Sequence, residues 1–223
     1  MIRARDIHLT LGAQGAATHI LKSVHIDIGA GESLAILGPS GSGKSSLMAV
    51  LSGLERATSG DLSVGGIDYS GLNEDDLARA RRGKVGIVLQ SFHLLPTMTA
   101  LENVAVPLEL AGERKPFDTA RDELEAVGLG HRLTHYPAQL SGGEQQRVAI
   151  ARAVAPRPGI IFADEPTGNL DQATSEGIID LLFQRQAAAS ATLIIITHDQ
   201  SLADRCRRVV QMRDGRIVSD VPA

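Results

Sequence analysis

Eight consecutive residues have the spacing Gly-x-x-x-x-Gly-Lys-Ser of a phosphate-binding loop. They are Gly38, Pro39, Ser40, Gly41, Ser42, Gly43, Lys44 and Ser45, and Ser46 follows them. Glycines let backbone N–H groups turn toward phosphate oxygens, and a helix starting here adds the positive end of its dipole. In this pattern Lys44 reaches the β- and γ-phosphates and the Ser45 hydroxyl binds Mg²⁺. The loop therefore predicts a nucleoside triphosphate site, with a glycine turn beside a surface lysine as the alternative.

Two adjacent acids, Asp164 and Glu165, follow the apolar run 160–163. A metal anchor at the end of a strand is what a phosphate loop requires, so we expect Asp164 to hold Mg²⁺, directly or through water. Glu165 points elsewhere and is expected to polarise the attacking water as general base. An exposed acidic turn is the alternative, and the presence of the phosphate loop favours the catalytic interpretation.

A third motif opens a helix that continues with an apolar face. It reads Leu140, Ser141, Gly142, Gly143, Glu144, Gln145, Gln146, Arg147. Ser141 is a favourable N-cap, and two glycines leave the N–H groups of the first turn accessible to an anion such as the γ-phosphate. Two glycines also weaken a helix, so an ordinary capped helix explains Ser141 but not the pair.

The elements that must position these motifs alternate between strands and helices. Strands are predicted at 2–9, 24–28, 34–37, 160–163 and 193–196. Helical periodicity covers 45–54, 74–82, 101–111, 119–127 and 142–155. Turns are expected at 12–18, at Gly65-Gly66 and, as a hairpin, at Asp214-Gly215.

This pattern predicts one α/β domain over residues 1–223. Its P-loop NTPase core, RecA-like with an antiparallel β flank, would comprise residues 1–90 and 156–223. Residues 91–155 show helical patterns and no convincing strand, so they are expected to form an inserted α-helical subdomain that carries the third motif.

The composition excludes several classes of protein. The 223 residues carry a formal net charge of −4, which gives no general basic field for wrapping nucleic acid. Cys206 is the only cysteine, so an intrachain disulfide and a cysteine metal cluster are excluded. No apolar run approaches the roughly 20 residues of a membrane helix, so a membrane role would depend on a partner.

The third motif resembles the signature of ABC transporter nucleotide-binding subunits, and the resemblance covers essentially the whole chain. It implies that Gln90 is the Q-loop residue, binding nucleotide and Mg²⁺, that residues 169–171 are the D-loop, and that His198 contacts the γ-phosphate. The signature and D-loop residues implied to contact ATP are Ser141, Gly142, Gly143, Glu144 and Asp171. Lys44, Glu165 and His198 are the implied catalytic residues of an ATPase that forms ADP and phosphate.

The same resemblance implies a homodimer with ATP between the subunits. In the family, two subunits pair head to tail, so that the phosphate loop of one faces the signature helix of the other. Closure then requires ATP, and hydrolysis loosens the dimer.

Three further stretches resemble one branch of the family, that of lipoprotein release and macrolide export, and within it the YbbA-type ATPases. They are residues 90–96, 100–104 and 165–171. The resemblance implies mechanotransmission, in which closure moves the extracytoplasmic parts of an integral membrane permease subunit. It also implies contact with that permease through residues 92–99, from Phe92 to Thr99, and a peripheral location on the cytoplasmic face of the inner membrane.

Two alternatives use the same ATPase. One is a non-transport regulator of cell-envelope enzymes. The other is an ABC ATPase acting on DNA or ribosomes, which is disfavoured because the chain lacks basic charge, heptads and a second ATPase unit. No nucleic-acid partner is therefore expected. A binding module without catalysis is disfavoured because Lys44, Asp164, Glu165 and His198 are all present.

The chain departs from the family in one respect. The family stacks adenine on an aromatic residue in its first strand-loop region, but residues 1–68 contain no Phe, Tyr or Trp. His8, Leu11 and His19 are imperfect substitutes, whereas Tyr69 and Tyr136 lie too far along the chain. Because stacking is worth about 1–3 kcal/mol, we expect weaker affinity or looser base selectivity.

Overall fold

The computed structural model describes residues 1–12 and 17–222, so most of the loop predicted at 12–18 lies outside the described residues. In chain order the strands are β1 Ile2–Leu11, β2 Thr18–Ile28, β3 Ser33–Leu37, β4 Ser59–Val64, β5 Ile67–Asp68, β6 Val85–Leu89, β7 Ile160–Asp164, β8 Thr192–Ile196, β9 Arg208–Arg213 and β10 Arg216–Pro222. The helices are α1 Lys44–Ser52, α2 Glu74–Arg81, α3 Ala100–Leu110, α4 Pro116–Ala126, α5 Gly142–Val154, α6 Gln172–Ala189 and α7 Gln200–Ala203. Single 3₁₀ turns lie at Gly130–Arg132 and Pro137–Gln139.

The chain forms two compact units. The first unit contains residues 1–81 and 192–223, and the second contains residues 82–191. The predicted helical segment 91–155 lies inside the second unit, which also contains β6, β7 and α6. Residues 91–155, all of which are described, contain no strand.

The first unit contains the antiparallel flank and the parallel strands that carry the phosphate loop. Strands β2, β1, β4 and β5 form an antiparallel sheet in that order. In the other sheet β3 lies between β9 and β8, parallel to both, and β10 returns antiparallel to β9. Every residue of β3 and β8 is buried, as expected for parallel strands covered on both faces.

The second unit contains one parallel strand pair and four helices. Strands β6 and β7 run parallel, with Leu89 opposite Asp164 at their carboxyl ends. Helices α3, α4, α5 and α6 supply the apolar side chains of this unit, among them Val104, Leu124, Ile150 and Leu182, all fully buried. No helix among the described residues is long and apolar enough to cross a bilayer.

Candidate functional site

The phosphate loop lies between β3 and the first turn of α1. The N-cap of α1 is Gly43, with φ of 96°, and its first turn has no side-chain cap. Its N–H groups therefore remain available to a ligand, with the positive end of the helix dipole behind them. Lys44 Nζ donates to the carbonyl oxygens of Gly38 at 2.8 Å and Pro39 at 3.0 Å, which places its ammonium group within the loop.

The β9–β10 hairpin packs against this loop. The Gly215 N–H donates to the Ser42 carbonyl at 3.0 Å, and the Lys22 N–H donates to the Gly215 carbonyl at 2.9 Å. A Cβ at Gly38 would lie 2.3 Å from the Met212 carbonyl oxygen, so no side chain fits there. The loop shape is thus fixed by backbone contacts of the first unit as well as by its own glycines.

His198 follows β8, the strand beside β3. Because Ile36 pairs with Ile196, the phosphate loop and His198 both follow the carboxyl ends of neighbouring parallel strands. His198 is exposed, whereas Thr197 is buried and accepts the Asp199 N–H on its hydroxyl at 3.0 Å. The phosphate loop and His198 are 153 or more positions apart in the sequence. Pairing of β3 with β8 places both at the same edge of the sheet.

The acidic pair and Gln90 meet in the second unit. Asp164 ends β7 and Gln90 follows Leu89 of the neighbouring β6, so both sit at one edge of the strand pair. Asn169 Nδ2 donates to the Gln90 carbonyl at 3.0 Å, which ties the D-loop to the Q-loop. Glu165 has φ of 45°, a left-handed conformation that a non-glycine residue adopts at a cost and that is frequent at functional sites.

The signature helix α5 begins in a complete capping box. Ser141 Oγ accepts the Glu144 N–H at 3.3 Å, and Glu144 Oε2 accepts the Ser141 N–H at 2.8 Å. Arg132 Nε donates to Glu144 Oε1 at 2.9 Å. The hydrogen bond from the Ser141 backbone, helped by Arg132, holds the pKa of Glu144 below its usual value. The carboxylate that we expected to contact nucleotide is therefore also bonded to its own helix.

The signature and the D-loop line one cavity of about 480 Å³ within the second unit. Its walls are Ser141, Gly142, Gly143, Glu144, Arg147, Asn169, Leu170, Asp171 and Thr174. Asp171 is the N-cap of α6: it accepts the Thr174 N–H at 3.0 Å and hydroxyl at 2.7 Å, and the hydroxyl contact lowers the Asp171 pKa. Thr174 and Arg132 are site residues that the sequence interpretation missed, and neither has a motif signal of its own.

The three residues considered as substitutes for the adenine-stacking aromatic, His8, Leu11 and His19, differ in their surroundings. The rings of His8 and His19 stack on each other, with centroids 5.3 Å apart, and His8 Nδ1 lies 3.1 Å from His19 Nε2. Leu11 ends β1 and is 42% exposed. Leu11 pairs with Thr18, two residues before Ile20, whose carbonyl oxygen would lie 3.3 Å from a Cβ at Gly43. This end of the hairpin therefore lies beside the phosphate loop.

Comparisons with known proteins give likenesses over nearly the whole chain. A family model described as "ABC transporter" matches residues 21–168. The ABC transporter ATP-binding protein YbbA of Escherichia coli strain K12, described as uncharacterized, is 46% identical over 217 residues, 95% of each chain. The lipoprotein-releasing system ATP-binding protein LolD of Legionella pneumophila strain Paris is 48% identical over 89% of this chain and 88% of LolD. The ATP-binding cassette MJ0796, solved as a post-hydrolysis dimer bound to ADP and Pi, superposes with a TM-score of 0.91 at 36% identity, covering 100% of this chain and 98% of that one.

Proposed function

The chain belongs to the ABC transporter family as one of its ATP-binding and ATP-hydrolysing subunits, and we propose that it acts as half of an ATP-dependent homodimer that moves a membrane partner. The resemblance drawn from the sequence, including the predicted α/β P-loop NTPase fold, is thereby confirmed. The homodimer, the partner and the individual residue roles are our proposals.

One observation carries the proposal: a single chain holds both an uncapped phosphate loop and a separate signature cavity. In a head-to-tail dimer each loop would receive ATP and each signature cavity would cover the γ-phosphate of the other subunit's ATP. The dimeric state of MJ0796, of which this chain covers 98%, supports this assembly. ATP would then hold the two subunits together, and loss of the γ-phosphate would weaken the closed state.

The residues present fit Mg²⁺. Ser45, Asp164 and Gln90 offer a hydroxyl, a carboxylate and an amide oxygen, all of the hard donor type that Mg²⁺ prefers. The described residues contain no group of three or more His, Cys, Asp or Glu side chains that could hold a metal alone. This suits an ion that takes its remaining ligands from phosphates and water. When bound, Mg²⁺ would neutralise charge that develops on the β- and γ-phosphates.

The chain's own residues supply the other catalytic functions. Lys44 would exchange its bonds to the Gly38 and Pro39 carbonyls for phosphate oxygens. Glu165, held in its left-handed backbone conformation, would take the proton of the attacking water. His198 would donate to a γ-phosphate oxygen from the edge of the sheet that also carries the loop. Together these roles position the nucleophile and stabilise the charge that phosphoryl transfer develops.

The proposed partner is a membrane permease subunit of the lipoprotein-release or macrolide-export type. Support comes from YbbA and LolD, whose names place them among ABC transporter and lipoprotein-releasing ATP-binding proteins. The contact would be made by residues 92–99, which we name the coupling segment. All eight residues of the coupling segment are exposed or partly exposed, with Leu95 41% exposed. Such contact would place the subunit peripherally on the cytoplasmic face of the inner membrane.

The experiment for the catalytic half is Glu165→Gln. Hydrolysis should fall by about 10²–10⁴-fold because the general base is removed, whereas ATP binding should persist. The variant should therefore accumulate as an ATP-bound dimer, visible by size-exclusion chromatography with light scattering. Glu109→Gln, at an exposed position of α3, is the matched control. Unchanged hydrolysis would remove Glu165 from its role, and a monomer with bound ATP would contradict the homodimer.

The experiment for the partner is co-purification from membranes after mild detergent extraction. We expect an integral membrane subunit to be retained by the wild type and lost when Leu95 and Thr97 are both replaced by aspartate. Retention of ribosomes or DNA, or of an envelope enzyme regulator in place of a permease, would instead support one of the alternative functions.

A further inference from the structure

The coupling segment begins with two strained residues. Phe92 has φ of 59° and His93 has φ of 48°, so two consecutive non-glycine residues adopt the left-handed conformation. Such a conformation costs free energy at each residue and persists only where surrounding contacts hold it. The segment therefore requires an anchor from elsewhere in the second unit.

Arg152 of α5 supplies that anchor. Its Nη1 donates to the His93 carbonyl at 2.6 Å and its Nη2 donates to the Phe92 carbonyl at 2.7 Å. The rigid fork of the guanidinium matches two adjacent carbonyl oxygens, and both bonds are charge-assisted. Both strained peptide units are thus held by a single side chain.

The surroundings of Arg152 differ from those of two other partly buried arginines in this unit, Arg132 and Arg185. Arg132 pairs with Glu144 and Arg185 pairs with Glu123. Among the described residues Arg152 has no carboxylate partner within ion-pair distance, and burial lowers its pKa. Desolvating a charge without an acid is costly, so a hydrophobic residue would fill the position at lower cost. The hydrogen bonds to the Phe92 and His93 carbonyl oxygens explain why an arginine occupies this position.

The other end of the signature helix lies near the Phe92 side chain. The Phe92 ring atom Cζ would lie 3.8 Å from a Cβ at Gly142, in the first turn of α5. Arg152 lies near the last turn. The Phe92 ring therefore lies beside the start of α5, and the Phe92 carbonyl is bonded by a side chain from the end of the same helix.

The later part of the segment is held by α3. The fully buried amide of Asn103 accepts the Leu95 N–H at 2.7 Å, and its nitrogen lies 3.0–3.1 Å from the carbonyl oxygens of Leu95, Met98 and Thr99. Leu95, Met98 and Thr99 thus have an anchor on α3, whereas Phe92 and His93 have theirs on α5.

We propose that Arg152 is a positioning residue that fastens the start of the coupling segment to the signature helix, so that displacement of α5 by nucleotide moves the segment. This inference rests on the proposed function for the segment's role toward a partner. The holding of Phe92 and His93 can be tested without any partner.

The first experiment compares Arg152→Ala, Arg152→Lys and the wild type by hydrogen exchange. In the alanine variant the amides of Phe92 and His93 should exchange about tenfold faster or more, while α3, β7 and the Leu95 amide held by Asn103 keep their protection. Lysine can reach one carbonyl only, so it should give an intermediate rate and also tests the proposal if the alanine variant fails to fold. Arg185→Ala, which also removes a partly buried guanidinium, is the matched control and should leave residues 92–95 unchanged.

A second variant separates holding from simple packing. Glycine adopts positive φ without strain, so His93→Gly lowers the need for an anchor. The acceleration caused by Arg152→Ala should shrink by about half or more in the glycine background, because the two changes act on one interaction. An equal acceleration in both backgrounds would indicate a packing role and overturn the proposal.

The third experiment follows the motion itself. The chain contains no tryptophan, so Leu95→Trp places a single reporter in the coupling segment. In the Glu165→Gln background ATP should change the Trp emission, and Arg152→Ala should reduce that change about fivefold or more at saturating ATP. An undiminished change would overturn the proposal. If ATP does not change the Trp emission even in the chain that keeps Arg152, the proposed coupling function is contradicted. Arg152 would still be the anchor of Phe92 and His93, provided that Arg152→Ala accelerates their hydrogen exchange.

Discussion

Two helix N-termini of this protein carry similar sequences and have different hydrogen bonding. In the first unit, α1 follows a glycine-rich loop, and its N-cap Gly43 has no side chain with which to satisfy the first turn. In the second unit, α5 follows Ser141 and has two glycines, yet Ser141 and Glu144 close a full capping box. Both motifs look like anion sites in sequence, but in α5 a side chain bonds one first-turn N–H, that of Glu144, whereas α1 has no side-chain cap.

The difference indicates a division of roles. We expect the uncapped end of α1, with Lys44 inside the loop, to bind a triphosphate by itself. The end of α5 is already stabilised by its capping box, and under the proposed function it would complete a site in which the other subunit has bound ATP. The difference between the two helix N-termini can be tested by substitution in each of them.

The largest effect is expected from Lys44→Ala. Removing a charged donor from the loop should weaken ATP binding by about 1.5–3 kcal/mol, or roughly 10–150-fold. Isothermal titration on dilute protein measures it, with Lys84→Ala, an exposed lysine of the second unit, as control. Equal affinity in both variants would mean that the loop does not bind phosphate through Lys44.

A comparable gain is expected from Leu11→Tyr. The wild type should bind ATP and GTP within about tenfold of each other, because an aliphatic side chain offers no base stacking. Tyrosine at this exposed position beside the loop should tighten both nucleotides by about 1–3 kcal/mol. Val221→Tyr, at an exposed apolar position on β10, is the control. Submicromolar, ATP-only binding by the wild type would contradict the expectation of a weak base site.

A smaller effect is expected from Ser141→Ala. Loss of the N-cap should lower the free energy of unfolding by about 0.5–2 kcal/mol, measured by urea denaturation. The ATP affinity of dilute monomer should not change, whereas hydrolysis at high protein concentration should fall. Weakened binding in the monomer would show that the two helix ends do not differ in the way proposed. Ser175→Ala, inside α6, is a serine control outside an N-cap.

The smallest effect concerns pH and Glu144. Its pKa is lowered in the folded chain, first by the Ser141 backbone hydrogen bond, so its contribution to stability is present above the unfolded pKa of about 4.3. That contribution is lost as the pH falls through the lower folded pKa. The difference in stability between wild type and Glu144→Gln should therefore shrink below about pH 4. Glu109→Gln, exposed on α3, is the control, and a constant difference for Glu144→Gln would contradict the capping role.

The sequence predicted the strands and helices with strong local signals. The apolar runs at β3, β7 and β8 and the cap before α5 lie where they were expected, with α5 starting at Gly142. The strand β6 was missed because Gly86 interrupts its apolar pattern. The glycine is needed there, since a Cβ would lie 2.4 Å from the Ala153 carbonyl oxygen. The long helix α6 was also missed, because its run at 178–183 reads equally well as a strand.

Motifs in the sequence predicted the residues of the candidate site, but they did not predict the hydrogen bonds that those residues form. Gln90 and Asp164 lie at the ends of the neighbouring strands β6 and β7. The order of the motifs along the chain does not show which strands are neighbours. The use of Glu144 as a cap, its contact with Arg132 and the hold of Arg152 on two carbonyls all depend on residues distant in sequence. No local pattern encodes them, because they arise from tertiary packing.

The hairpin behind the phosphate loop has a consequence for biosynthesis. Lys22 forms a 2.5 Å ion pair with Asp214, 192 positions later, and Gly215 bonds to the loop itself. At about 5–20 residues per second, a ribosome completes that hairpin many seconds after the loop has emerged. The glycine-rich loop therefore leaves the ribosome before the residues that fix its conformation have been synthesised. Nucleotide binding can stabilise the folded loop only near the end of translation.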